Sequence, residues 1–224
     1  MTGVWDARAI KARRLALLFT AALSVAACKI EKTVVQANSS EQSVFINDAS
    51  FNPDQMVEVD WDAKVLPLLR DKARPYDEVA GAIAKDPNAA GAQYGYRAEP
   101  SSPWTYAAKL EGTITAANTE SRAGTLDVAT ASGQTVTIQI GPVVRGTAIR
   151  DMLSFRPFGS FKNQVDYAQY GRALNAKANA TALSKAPRQD LVGRSVIAVG
   201  AFQPGPAGSP TLFTPVELTV GAKP

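Results

Sequence analysis

The chain has 224 residues, with 24 Lys and Arg against 20 Asp and Glu, a single cysteine and no histidine. Without histidine there is no Ser-His-Asp triad, no His-ligated zinc and no imidazole proton shuttle. No G-x-S-x-G, G-x-G-x-x-G, phosphate loop or S-x-x-K dyad occurs either, so any catalysis would rest on carboxylates, lysines or tyrosines.

The opening residues carry Arg8, Lys11, Arg13 and Arg14 against Asp6, and an uncharged run, Leu15 to Ala27, follows. A basic start, a short apolar core and small residues at its exit read as a secretory signal over residues 1–27. A membrane span needs about 20 apolar residues, more than this run supplies. Val25-Ala26-Ala27-Cys28 resembles the lipobox of bacterial lipoproteins. That resemblance implies that Cys28 receives a diacylglycerol, with palmitate-type chains, and that the chain is cut just before it. Each buried methylene then adds roughly 0.8 kcal/mol of membrane affinity. Lys29 stands where lipoproteins retained at the inner membrane carry Asp, which by the same resemblance points to the outer membrane. Removal of the signal discards four bases and one acid, so the formal charge falls from +4 to +1. A nearly neutral exported chain is a poor footprint for nucleic acid.

Residues 28–50 are mostly polar without a sustained period and read as a membrane tether. From Asn52 to Lys85 the pattern is helical, with Val57, Trp61, Val65 and Leu68 on one stripe. Pro67 is expected to kink or end that helix near Leu66. A second helix starts at Pro75, buries Val79 and Ile83 and stops before Pro87. The acids Asp54, Glu58, Asp60 and Asp62 read as a solvated helix face. Helices thus account for residues 51–103.

Beyond Pro103 the period becomes two. Tyr106, Ala108, Leu110, Gly112 and Ile114 share one face of a strand, and Leu126 and Val128 mark a second. In QTVTIQI, Val136, Ile138 and Ile140 oppose Thr135, Thr137 and Gln139, and Gly141-Pro142 ends the strand. Residues 146–185 read as helical, with Asn163 or Asp166 as a cap. GRSVIAVGAF reads as a strand buried on both faces. TLFTPVELTV is a last strand with Val216, Leu218 and Val220 on one side and Pro215 at a bulge or an edge. Three strands, a helix and two strands resemble the OB-fold, a five-stranded barrel with a helix plugging one end. The fold class is therefore α+β: an OB-like barrel over residues 104–224 with an inserted helix, preceded by N-terminal helices packed outside it.

Several stretches together resemble a family of bacterial predicted periplasmic lipoproteins, a domain of unknown function. They are Cys28-Lys29-Ile30, Trp61 with Val65-Leu66-Pro67, Tyr94-Gly95-Tyr96-Arg97, Ser121-Arg122-Ala123-Gly124, QIGPVVRGTAIRDML at 139–153, Phe161 to Gln164, and Tyr167-Ala168. The long Pro/Gly loop at 203–210 departs from the family pattern. The resemblance implies an accessory role beside a ribose-type sugar ABC transporter, with a sugar-binding protein or the ABC permease as partner; no cofactor is expected.

Candidate ligand-binding residues come from the same stretches: Tyr94, Arg97, Arg122, Arg145, Thr147, Arg150, Asp151, Asn163 and Gln164. Arg145-Gly146-Thr147 at a helix start offers N–H groups and a guanidinium to an anion or a sugar hydroxyl. The alternative is a structural corner in which Arg150 pairs with an acid. Tyr94 and Arg97 suit stacking on a sugar ring, or simple packing. Asn163 and Gln164 read hydroxyls or cap a helix. Three functions stay open: a lipid-anchored accessory or binding protein, a hydrolase or lyase using Asp151 and Asp166, and a purely structural envelope protein.

Overall fold

The computed structural model of the protein describes residues 51–205 and 209–223, which belong to one compact unit. The signal, Cys28 and the tether lie outside the described residues. Helix α1 (Pro53–Asp60) starts at Asn52, whose side chain accepts from the Gln55 N–H. The helical path does not end at Leu66. A π-helical turn, Trp61–Val65, intervenes, and α2 (Leu66–Lys72) carries the path through Pro67. Proline lacks an N–H and its ring crowds the carbonyl four residues back. The wider turn, in which the Leu66 N–H reaches the Trp61 carbonyl, accommodates it. It also delays the apolar stripe by one residue, so Leu69 is fully buried where Leu68 was expected.

Strand β1 (Arg74–Pro75) leads into α3 (Tyr76–Lys85) and α4 (Pro87–Tyr94), and β2 (Gly95–Tyr96) follows. The long strand β3 (Thr105–Asn118) takes β1 in parallel and β2 antiparallel at its first half. It then pairs with β4 (Ala123–Ala129), which pairs with β5 (Thr135–Pro142). After α5 (Ala148–Asp151) and α6 (Gln164–Thr181) come β6 (Ser195–Phe202) and β7 (Thr211–Val220). β7 lies parallel to β5 and antiparallel to β6, and β6 returns to β3. That last pairing closes a five-stranded barrel with the expected order of strands and helix. The region 146–185 is not one helix, because residues 152–163 form turns and a short 3-10 segment.

Two apolar cores result. The barrel interior holds Tyr106, Leu110, Ile114, Leu126, Val128, Val136, Ile138, Ile140, Phe202 and Phe213, and also Tyr76 and Val79 from α3. The second core lies on the outer face of β3, β6 and β7, where Ala107, Ala201 and Val216 meet Val57, Trp61, Leu69, Ile149, Tyr170 and Leu174. The inserted helix α6 therefore packs against the barrel wall together with α1, while α3, from the N-terminal segment, contributes to the interior. Val216 joins the outer core because the register jumps there: Val199 pairs with Glu217 and Gly200 with Pro215. The bulge reverses the alternation, so Leu218 and Val220 face the interior and Val216 faces away. In β6 only the second half is buried on both faces, and Ile197 is exposed.

Candidate functional site

A cleft of about 410 Å³ opens where three parts of the chain meet. The segment Tyr96–Pro103 forms one wall, α5 with residues 153–159 forms another, and Gln203 stands at the end of β6. Asp151 is the hub. Its Oδ1 accepts from Arg150 Nε at 2.8 Å, and Arg150 Nη2 stands 2.7 Å away. Its Oδ2 accepts from the Thr147 hydroxyl at 2.6 Å and from Gln203 Nε2 at 3.2 Å. The Tyr167 hydroxyl reaches Oδ1 at 3.5 Å, and Gln203 Nε2 also donates to Thr105 at 2.9 Å. Arg150 sits over the Tyr167 ring, its Cζ 3.9 Å from the centroid. Gly171 permits that pose, since a Cβ there would sit 3.2 Å from Arg150 Cδ. Burial pushes the Tyr167 phenol above its ordinary value, with the Arg150 charge opposing the rise.

Opposite this network stands Arg97. Its guanidinium stacks on Trp104 at 4.1 Å, and Nη1 donates to the Pro100 carbonyl at 2.8 Å. Trp104 in turn lies against α4 at Gly91, where a Cβ would fall 2.2 Å from the indole ring. Tyr96, Leu153, Pro157 and Phe158 add an apolar and aromatic wall. The result is a small cleft of planar donors and acceptors beside aromatic faces, the composition that suits a compact polar ligand.

The structure brings Arg97, Arg150 and Asp151 together in this cleft, with Thr147 just behind Asp151. The other candidates lie elsewhere. Tyr94 packs against the barrel core, and its hydrogen bond with Glu78 raises its phenol. Tyr96, two residues on, takes the place in the cleft. Arg122 is exposed, and its carbonyl accepts from Val143 N–H at 2.8 Å. The Arg145 N–H and carbonyl are both bonded by the Gln139 side chain, at 2.7 and 2.9 Å. They belong to the corner that aims α5. Asn163 caps α6 through Asp166 N–H at 2.9 Å, and Gln164 is exposed beside it. Asp166 is buried under that cap, bonded by Asn163 Nδ2 at 3.2 Å, and does not line the cleft with Asp151. The two carboxylates therefore do not meet in it.

Sequence reasoning missed three positions. Gln139, expected on the polar face of β5, is buried and bonds Arg145 and Thr214, so it sets the path of the loop into α5. Gln203 sits in the loop after β6 and gave no periodic signal. Asp60 is fully buried rather than solvated, because the outer core closes over that turn of α1. Arg156 Nε donates to its Oδ2 at 2.8 Å, Lys64 lies 3.3 Å from Oδ1, and the Tyr170 hydroxyl reaches Oδ2 at 3.4 Å. Burial alone would raise its pKa, but the bonds and charges of Arg156 and Lys64 outweigh that and hold the carboxyl below its usual range. Among the described residues, no group of three His, Cys, Asp or Glu is placed to hold a metal. No described helix is long and apolar enough to cross a membrane.

The crystal structure of an OB-fold protein from Thermotoga maritima is similar to this chain, with a TM-score of 0.60 and 16% sequence identity. The match covers 76% of this chain and 98% of that one. It supports the barrel architecture and carries no function across. No curated protein matches the chain significantly. The family model for predicted periplasmic lipoproteins (DUF2291) matches residues 18–219, nearly the whole sequence. With the barrel closed and the matched region running through the cleft residues, the chain belongs to the predicted periplasmic lipoprotein family DUF2291, an envelope-associated periplasmic protein.

Proposed function

We propose that the protein is a non-enzymatic, lipid-anchored accessory of a ribose-type sugar ABC transport system, and that it holds a small polyhydroxylated ligand in the cleft around Asp151. The observation that carries this reading is the convergence of Arg97, Arg150, Asp151 and Gln203 on a cleft of about 410 Å³ walled by Tyr96, Phe158 and Tyr167. Hydroxyl pairs are read by planar side chains that both donate and accept, and the apolar face of a sugar ring stacks on aromatic carbon. Asp151 is already charge-balanced by Arg150 and bonded by Thr147 and Gln203, which fixes this wall of the cleft rather than leaving a carboxylate free to attack a bond.

The anchor follows from Cys28 at the exit of the apolar run. Its acyl chains tie the barrel to the bilayer through residues 28–50, and Lys29 favours the outer membrane. The partner is the sugar-binding protein or the permease of the same uptake system.

Two measurements on the native protein, extracted from membranes in mild detergent, test this reading. Intact mass should report the chain from Cys28 with a diacylglyceryl group attached. The melting temperature should rise with a pentose or hexose in a concentration-dependent way, as binding to the folded state requires. A bare precursor mass, or a melting temperature indifferent to every sugar tried, would contradict it.

A further inference from the structure

The two arginines of the cleft are in different electrostatic states. Arg150 is compensated: Asp151 pairs with it at 2.7 Å, and its side chain is only 15% exposed. Arg97 is not. Among the described residues no carboxylate forms an ion pair with it, and its one hydrogen bond goes to the Pro100 carbonyl. It is nevertheless half-buried and fixed, because Trp104 supports the plane of the guanidinium. A guanidinium carries five N–H donors in a rigid fork that matches carboxylate and phosphate oxygens. Glu99, the remaining acid of the cleft, is exposed at the rim, where water screens it. The cleft lining therefore has one guanidinium without an ion-pair partner, held in place before any ligand arrives.

Resting on the sugar-binding reading above, we propose that the ligand of this cleft bears an anionic oxygen group, as in a sugar acid or a sugar phosphate, and that Arg97 receives that group. The Gln203 Oε1, beside Asp151, then faces the hydroxyls, and Tyr96 and Phe158 border the carbon skeleton. A free inorganic anion would use only one end of a space that continues along this apolar wall. A neutral sugar would leave a half-buried guanidinium without the partner its stacking prepares it to meet. Binding energy is gained where a preorganised charge meets its complement without a further ordering cost.

The test is calorimetric titration of the membrane-extracted protein with three ligands sharing one skeleton: D-ribose, D-ribonate and D-ribose 5-phosphate. At least one anion should bind about tenfold or more tightly than ribose, the size expected of a charge-assisted pair. Comparing ribonate with the phosphate separates the two sources of negative charge. Arg97→Gln should remove the preference for an anion, and Arg122→Gln, on the exposed surface, should leave both the preference and ribose affinity intact. Should Arg97→Gln fail to fold, Arg97→Lys, which keeps the charge and loses the planar fork and its place over Trp104, should reduce the preference several-fold. Ribose binding as tightly as both anions, or a preference that survives loss of Arg97, would overturn this inference and leave the sugar reading standing. Binding of none of the three would overturn both.

Discussion

The interior of the barrel and the layer outside it are built on different principles. Within the barrel the clustered side chains are aliphatic or aromatic, with Tyr106, Phe202 and Phe213 stacked near one another and no charged group among them. The outer layer is held by equally apolar contacts, yet it encloses a carboxylate, Asp60, with Arg156, Lys64 and Tyr170 around it. An apolar core tolerates rearrangement of similar volumes, whereas a buried carboxylate has one satisfied arrangement. The outer layer also contains the helices that carry the cleft. A specific polar anchor beside α5 and α6 is a means of fixing the cleft's geometry, which the barrel interior alone does not reach.

The largest expected effects separate the two layers. Phe202→Ala should destabilise the fold by about 3–5 kcal/mol through a cavity in the interior. Asp60→Ala should cost about 3 kcal/mol, the low end for a broken buried pair, because Arg156 retains access to water. Denaturant titration reads both. Equal tolerance of Asp60→Ala and a surface substitution would break the contrast.

Acidity should sharpen it. The folded carboxyl of Asp60 has a lowered pKa, so its contribution is fully present above the ordinary carboxylate value, about 4. That contribution is lost as pH falls through the lowered folded value. The stability gap between wild type and Asp60→Asn should therefore narrow in acid, while the gap for Phe202→Ala should not. Parallel pH profiles for the two variants would contradict the assignment.

A smaller loss, about 1–3 kcal/mol, is expected for Gly91→Ala, because the new Cβ must displace the Trp104 ring. With Trp104 displaced, Arg97 loses its support, so this variant should also weaken any preference for an anionic ligand. Smallest of all is Lys177→Ala. Its 2.5 Å pair with the exposed Glu58 joins α6 to α1 at the surface, and its loss should change stability by less than about 1 kcal/mol.

Much of the barrel was legible in the sequence because alternation is a direct image of a two-sided strand. Val136, Ile138 and Ile140 lie on the buried face as their spacing predicts. What was not legible depends on a third partner. Ala107 looks like the polar-side alternate of Tyr106, yet it is buried because the outer helices cover that face. Val216 reverses its face at a bulge that no period reveals, and the π-turn moves the buried position from Leu68 to Leu69. Asp60 and Gln139 are polar residues on faces that read as solvated, and only tertiary packing buries them. For the cleft, Tyr96, Arg97, Arg150 and Asp151 stand in stretches already singled out. Trp104 and Gln203 join them through pairing and loop geometry that sequence spacing does not encode.

The most direct test of the account is a crystal structure of the protein grown with D-ribonate. The cleft reading predicts the ligand between Arg97 and Asp151, its carboxylate on the Arg97 fork and its hydroxyls within hydrogen-bond reach of Asp151 or Gln203. Ligand seated on another face of the molecule, such as the groove bordered by Trp61 and Glu217, with the Arg97–Asp151 cleft holding only solvent, would contradict it.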